Sequence, residues 1–438
     1  MTTSQPVLII VCILVLAAIV VSLFTKKLHA AVAMIVFPAI GALVLGATPA
    51  QLGVFIIGGI SNMVAQVVMI PLAVCFFFII TEAGLFNVIA TWLVKHMKNK
   101  LWMVLLITAI LAMFCGTGSA VMLTTTGIMV PILRKMKVRA EAALCLLCAG
   151  QMFICMMPWQ NAIMTISAVT GVTADEMFGK LGPVILCGIV LVLALAIVLS
   201  FIEKKNGAGL SDEEFAAMKQ EIINKPAEVK VSKPVLIIDA VLVVVAIVLL
   251  ITGWLSSILV FMLGTVLAAI INFPSQAGQT QVFAKLAPLA FTIVFTIFGL
   301  GTMMGILNNT GMLKAVATAL ANIIPTGAFA LIPLLLALLG FWLAFFAGGT
   351  VVSTGLLPIL TVAYTTVGGN PLTMACAVVL SLTPLLMMGP FAVQGYTVAG
   401  FAKVDYNAHT KYSIKWMYLL VLIAVVLMLI FGIIPLSL

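Results

Sequence analysis

The chain has 438 residues, of which 64% are hydrophobic and 8% charged, with a formal net charge of +9. An ordinary soluble domain carries roughly a quarter of its residues as charges, so a soluble globule is excluded. Nucleic-acid binding is excluded as well, because Lys and Arg sit in short clusters between apolar runs and form no single basic face.

The apolar stretches are continuous, as at 7–24 and 184–201, without the two-residue alternation of a barrel strand, so the expected fold is an all-α polytopic membrane protein. A spanning helix takes about 20 residues. Such runs occur at 7–24, 30–46, 64–81, 141–168 and 182–202, and again at 235–253, 255–272, 287–307, 372–400 and 416–436. The first run has no basic region before it and no cleavage site after it, so it reads as a retained span.

Two stretches behave differently. Residues 101–133 are flanked by Lys95, Lys98 and Lys100 on one side and by Arg134, Lys135, Lys137 and Arg139 on the other, which puts both ends in the cytoplasm. Gly116 and Gly118 divide the stretch into arms of about 15 residues, roughly 22 Å each and too short to span. The expectation is a re-entrant hairpin. Residues 328–365, broken at Gly348 and Gly349, are its counterpart on the external side. With two hairpins and about ten spans, all Lys and Arg except Lys180 and Lys314 fall inside, and both termini lie outside.

Residues 203–234 form a polar cytoplasmic linker, in which Ser211 and Glu214 make a capping box that predicts a short helix ending near Asn224. Sliding the chain on itself by 227 positions aligns residues 82–93 with 309–320, where Gly84, Ala90, Thr91 and Leu93 meet Gly311, Ala317, Thr318 and Leu320. Pro131-Ile132-Leu133 meets Pro358-Ile359-Leu360 at the same offset. The halves 1–202 and 235–438 therefore read as an inverted-topology repeat, with substrate bound where they meet.

Each half also carries an interruption after its hairpin, at 158–161 and at 389–395. Pro158 and Pro390 remove a helical hydrogen bond there, freeing carbonyls for a cation, while the restarting half-helices offer N–H groups to an anion. Trp159, Gln160, Asn161 and Gln394 stand at these breaks. Gly116, Thr117, Gly118, Ser119, Gly348, Gly349, Thr350 and Ser353 stand at the hairpin turns. Those residues with Thr165 and Pro390 form the expected substrate site, with Ser119, Asn161, Thr350 and Gln394 as candidate ligands of a coupling cation. Thr124, Thr125 and Thr126 are expected to bond the helix backbone instead. Glu82 and Asp239 lie near the cytoplasmic ends of spans, His29, His96 and His409 flank spans, and the eight cysteines read as packing residues. No protease, phosphate-loop or serine-hydrolase motif is present, so neither an enzyme nor a cofactor is expected.

These segments resemble the citrate-metal:proton symporter (CitMHS) family of the ion transporter superfamily. Residues 81–86, residues 116–119 through Pro131, Pro158-Trp159, and residues 400–405 with His409 and Lys411 are similar to its motifs. The resemblance implies uptake of citrate as a divalent-metal complex driven by protons, a scaffold domain, a mobile transport domain working as an elevator, a homodimer, and a place in the cytoplasmic (inner) membrane. Cys115, Thr117 and Thr350 stand where the family has acidic residues, and Thr165 stands where an arginine follows Pro-Trp. Those departures point to a smaller or less charged organic anion held by helix N-termini and hydroxyls, and they keep sodium beside protons as the coupling cation. A passive anion channel and a cation/proton antiporter on the same fold are the alternatives.

Overall fold

The computed structural model describes residues 4–25, 27–114, 119–223, 229–323 and 325–436, and every regular element among them is helical. The first half runs α1 (Gln5–Thr25), α2 (Ala30–Val44), α3 (Pro49–Ser61), α4 (Val64–Ala83), α5 (Leu85–His96), α6 (Leu101–Phe114), α7 (Ser119–Lys135), α8 (Ala140–Ile154), α9 (Asn161–Thr170) and α10 (Ala174–Lys205). After the linker helix α11 (Asp212–Ile223) come α12 (Lys233–Thr252), α13 (Ser257–Asn272), α14 (Gln276–Asn309), α15 (Met312–Ile323), the short α16 (Thr326–Phe329) and α17 (Ile332–Ala347). A π-helical turn (Val351–Leu356) leads into α18 (Leu357–Thr366). Then follow α19 (Pro371–Leu382), a 3-10 turn (Thr383–Leu386), α20 (Val393–Phe401) and α21 (Tyr406–Ile430).

Local signals set many of these boundaries. Thr48 with Gln51 and Thr173 with Glu176 form reciprocal capping boxes at the starts of α3 and α10. The Ser211 box is present too: the Glu214 N–H donates to the Ser211 hydroxyl at 3.2 Å, and the Ser211 N–H donates to the Glu214 carboxylate at 3.0 Å. Those bonds from Ser211 hold the Glu214 carboxyl below its ordinary value. Gly84 (φ 102°) and Gly311 (φ 77°) adopt the left-handed backbone that divides α4 from α5 and α14 from α15, a conformation that costs a side-chain-bearing residue about 1 kcal/mol.

Among the described residues six helices are long and apolar enough to cross a bilayer, namely α1, α4, α10, α12, α14 and α21, against ten runs read from the sequence. The difference has a plain cause. The runs at 30–46 and 255–272 form helices of 15 and 16 residues, and those at 141–168 and 372–400 are each broken into two short pieces. Three long helices start earlier than hydropathy indicated, because polar caps set their first turns: Thr173 for α10, Ser275 for α14 and Asp405 for α21. The pair Ile332–Ala347 and Val351–Thr366 is bent by 120° at the Gly348–Gly349 turn.

The helices pack in two groups. In one, α14 lies along α2, α3 and α4, and α13 lies between α4 and α12. In the other, α8 is surrounded by α6, α10 and α21, and α19 by α17, α10 and α9. Lipid tails supply no hydrophobic drive between helices, so contact depends on small residues that let backbones close up. A Cβ on Gly59 would stand 2.1 Å from the Gly301 carbonyl, and one on Gly305 2.2 Å from the Phe55 carbonyl.

The linker is docked. Lys219 Nζ donates to Met97 O at 3.0 Å, Asn99 donates to Leu210 O at 3.0 Å, and Lys135 pairs with Glu221. Glu82, near the end of α4, is held by Lys230 at 2.5 Å and Lys285 at 3.1 Å. At the end of α10 the fully buried Glu203 accepts from the Arg139 backbone N–H at 3.1 Å and from its guanidinium at 2.6 and 2.9 Å. Removing the cation strands a buried carboxylate, so Arg139→Ala is expected to lower stability by about 3 kcal/mol. The double variant Arg139→Ala/Glu203→Leu should recover most of that loss, measured by thermal unfolding in detergent; a double variant no more stable than the single one would refute the account.

Candidate functional site

Both interruptions expected from proline are present, each displaced slightly. In the first, α8 ends at Ile154, residues 155–160 form turns, and α9 restarts at Asn161. Gln160 caps α9 in extended conformation with no side-chain bond to its first turn, so the N–H groups of that turn receive nothing from the cap side chain. In the second, α19 tightens into the 3-10 turn, residues 387–392 turn, and α20 restarts at Val393, again without a side-chain cap. Two helix N-termini, each the positive end of a backbone dipole, thereby begin without a bond from the cap side chain, an arrangement that suits an anion.

The two breaks are joined to each other and to the second hairpin. Gln151, buried one turn before the first break, donates through Nε2 to Gln394 Oε1 at 3.2 Å in the first turn of α20. The 3-10 turn packs on α8, and the π-helical turn of the hairpin packs on α9. A Cβ placed on Gly348 would lie 3.5 Å from the Phe391 ring, so the hairpin turn reaches the second break directly. Gln151 was missed in the sequence because a glutamine in an apolar run carries no motif.

Other expected site residues are placed differently. Trp159 is buried with its ring 5.8 Å from Phe77 and 5.5 Å from Phe261, which anchors the first break to α4 and α13. Asn161 is exposed, Thr165 lies one turn further along α9 and is half-buried, and Pro390 is exposed. Ser353 spends its hydroxyl on the Thr350 carbonyl at 3.2 Å, as Thr354 does at 2.7 Å, and Thr126 bonds Met122 O at 2.7 Å. Gly349 and Thr350 lie in the bend between α17 and the π-helical turn. Gly116, Thr117 and Gly118 lie outside the described residues, and Ser119 is described only as the start of α7.

The second break is expected to free carbonyls for a cation; in the structure each of the four from Met387 to Pro390 has a side-chain partner. His409 Nε2 reaches Met387 O at 3.3 Å, Thr410 Oγ1 donates to Met388 O at 3.1 Å, Tyr406 OH to Gly389 O at 2.6 Å and Tyr396 OH to Pro390 O at 3.1 Å. Buried backbone oxygens must be paired, and α21 supplies three of the partners from one face. His409 is likewise no flanking residue: α21 begins three residues before it, and it is buried, with Ser413 Oγ 3.1 Å from Nδ1. The bond to Met387 O assigns the proton to Nε2. Tyr406→Phe is expected to cost about 1 kcal/mol by orphaning the Gly389 carbonyl, and Tyr406→Phe/Thr410→Val about twice that. Unfolding curves of the two variants check this, and wild-type stability in both would show that these bonds from α21 do not hold the second break.

A polytopic helical protein with two interrupted helices joined through Gln151 and Gln394 has the architecture of a membrane transporter. The fold agrees with that of the YdaH transporter of Alcanivorax borkumensis, at a TM-score of 0.61 over 89% of this chain and 91% of that one, with 13% identity. The chain belongs to the citrate transporter family (CitMHS), whose profile matches residues 1–379. It is 27% identical to a Mg(2+)/citrate complex secondary transporter of Bacillus subtilis (strain 168), over 95% of this chain and 96% of that protein. To a citrate transporter of the same organism it is 26% identical, over 90% and 92%. The family resemblance read from the motifs is thus borne out, and the protein is an integral membrane transporter rather than an enzyme.

Proposed function

We propose that this protein is a secondary active symporter that carries citrate as its complex with a divalent metal. The observation that carries this reading is that two half-helices start without a side-chain cap, at Asn161 and Val393, and that their breaks are tied together by the Gln151–Gln394 bond and flanked by the hairpin, whose Gly348 lies against Phe391 and whose π-helical turn packs on α9. Among the described residues no group of three or more His, Cys, Asp and Glu could hold a metal ion. That composition suits the complex: citrate supplies the metal's carboxylate ligands, and a trianion bound to a divalent cation is a monoanion overall. A monoanion needs no arginine clamp and is matched by backbone N–H groups, Asn161, Thr165, Thr350 and Gln394. The loss of acids and arginine that pointed to a less charged anion is therefore met by the metal complex itself.

Protons are proposed as the coupling cation in preference to sodium, because the carbonyls of the second break are already engaged by α20 and α21. An elevator movement of α6 to α10 with α17 to α21 against the other helices is proposed with it, as are the inverted repeat, both hairpins, external termini, the inner membrane and a homodimer. Support for the repeat comes from helix limits: α5 and α15 begin and end 227 positions apart, and α3 and α14 begin 227 positions apart. The test is uptake of labelled citrate into proteoliposomes under separate proton and sodium gradients, with and without magnesium. Magnesium-dependent accumulation driven by the proton gradient is expected. Saturation-free flux without accumulation would make the protein a channel, and transport that needs no organic anion would make it an antiporter.

A further inference from the structure

Asp239 on α12 and Asn272 at the end of α13 lie outside the site described above. Asp239 is 0% exposed and Asn272 6% exposed. Asn272 Nδ2 donates to Asp239 Oδ1 at 2.7 Å and to the Ala268 carbonyl at 3.0 Å. Both hydrogens of the amide are thereby used, and turning it over would set its oxygen against two acceptors, so the network fixes its orientation. Two acceptor atoms are then left buried without any donor, Asp239 Oδ2 and Asn272 Oδ1.

Among the described residues no cation forms an ion pair with the carboxyl. The ion pairs among the described residues are Lys135 with Glu221, Arg139 with Glu203, and Lys230 and Lys285 with Glu82. The elements packed on α12 are α13, which has no charged residue, and α5, which ends in Lys95 and His96. On α12 itself the other charged residue is Lys233 in its first turn. The helix α4, packed along α13, carries Glu82 in its last turn, already matched by its two lysines. An ionised carboxylate with one of its oxygens buried and unpaired is among the most costly arrangements a span can contain.

We propose that Asp239 is a proton-binding site, in which a proton on Oδ2 is donated to Asn272 Oδ1 and closes a planar acid–amide ring with the observed Nδ2 to Oδ1 bond. A single proton satisfies both orphaned oxygens at once. A metal ion in their place would require several more oxygen ligands than the two the pair offers. The ring ties α12 to α13, while Ile237, Val241, Val244 and Val248 of α12 face outward. Loss of the proton on alkalinisation replaces the Oδ2–H bond by repulsion between two acceptors and loosens α12. This proton site stands apart from the citrate site and does not depend on how that site is read.

The test is infrared spectroscopy of the full-length protein in detergent at neutral pH, with its four aspartates labelled by carbon-13. Wild type should show the carbonyl stretch of a protonated carboxyl that shifts with the label. Asp239→Asn, whose amide can donate to Asn272 Oδ1 as the acid does, should lack the band and unfold at the wild-type temperature. Asn272→Leu should keep the band and move it to higher frequency, because the hydroxyl loses its acceptor. This second variant stands by itself if Asp239→Asn fails to fold. Absence of a label-sensitive protonated-carboxyl band in wild type would overturn the proposal, as would its persistence in Asp239→Asn. A wild-type unfolding temperature that rises with sodium, but not with potassium, and loses that response in Asp239→Asn would assign a metal ion instead.

Discussion

Replacing Asn161 by tryptophan is expected to lower citrate uptake by about 100-fold or more while leaving the protein inserted and folded. Asn161 is exposed at the first position of α9, so its side chain touches little that stability requires. An indole there covers the N–H groups of the first turn and fills the space in which the anion is proposed to sit. Thr350→Trp should act in the same way from the hairpin side, because Thr350 opens the π-helical turn that packs on α9. Uptake and thermal unfolding measured on the same preparations separate the two effects. Uptake within a few-fold of wild type in both variants would remove the substrate from this place.

Gly305→Leu is expected to prevent correct packing of the α3–α14 pair and to cost more than about 4 kcal/mol, at the severe end for a single substitution. The obstacle is backbone. A Cβ at Gly305 meets the Phe55 carbonyl at 2.2 Å and Gly59 Cα at 2.8 Å, and neither atom can turn aside as a side chain could. Gly58, adjacent in sequence to Gly59, has nothing within 4 Å of the corresponding Cβ, so Gly58→Leu is a matched control that should remain monodisperse on size exclusion. Equal behaviour of the two variants would show that the close crossing does not hold these helices together.

The difference between those two glycines shows where sequence reasoning stops. Gly58 and Gly59 are indistinguishable in a list of residues, and only the approach of α14 makes one indispensable. Similarly, α5 and α15 are helices of 12 residues that hydropathy did not mark as elements, because amphipathic stretches of that length lack a continuous apolar run. The glycines that begin them, Gly84 and Gly311, were visible through the 227-residue offset. His409 was read as a flanking residue because apolar character begins some residues after it, whereas the Asp405 cap starts α21 earlier and carries His409 into the interior.

By itself the sequence determined the all-helical membrane class, the apolar runs that contain the long helices, the linker helix after Ser211, the two proline breaks and the family. Each of these rests on local composition or on short-range chemistry: apolar length, a capping box three residues wide, or a proline that lacks an N–H. Tertiary structure alone decided that α21 side chains occupy the carbonyls of the second break, that Gln151 bridges to Gln394, and that Asp239 meets Asn272 with no ion-pair partner among the described residues. Those partners lie 17, 243 and 33 residues apart in the chain. What a buried polar group does depends on which distant neighbour the packing brings to it, and no residue's identity records that neighbour.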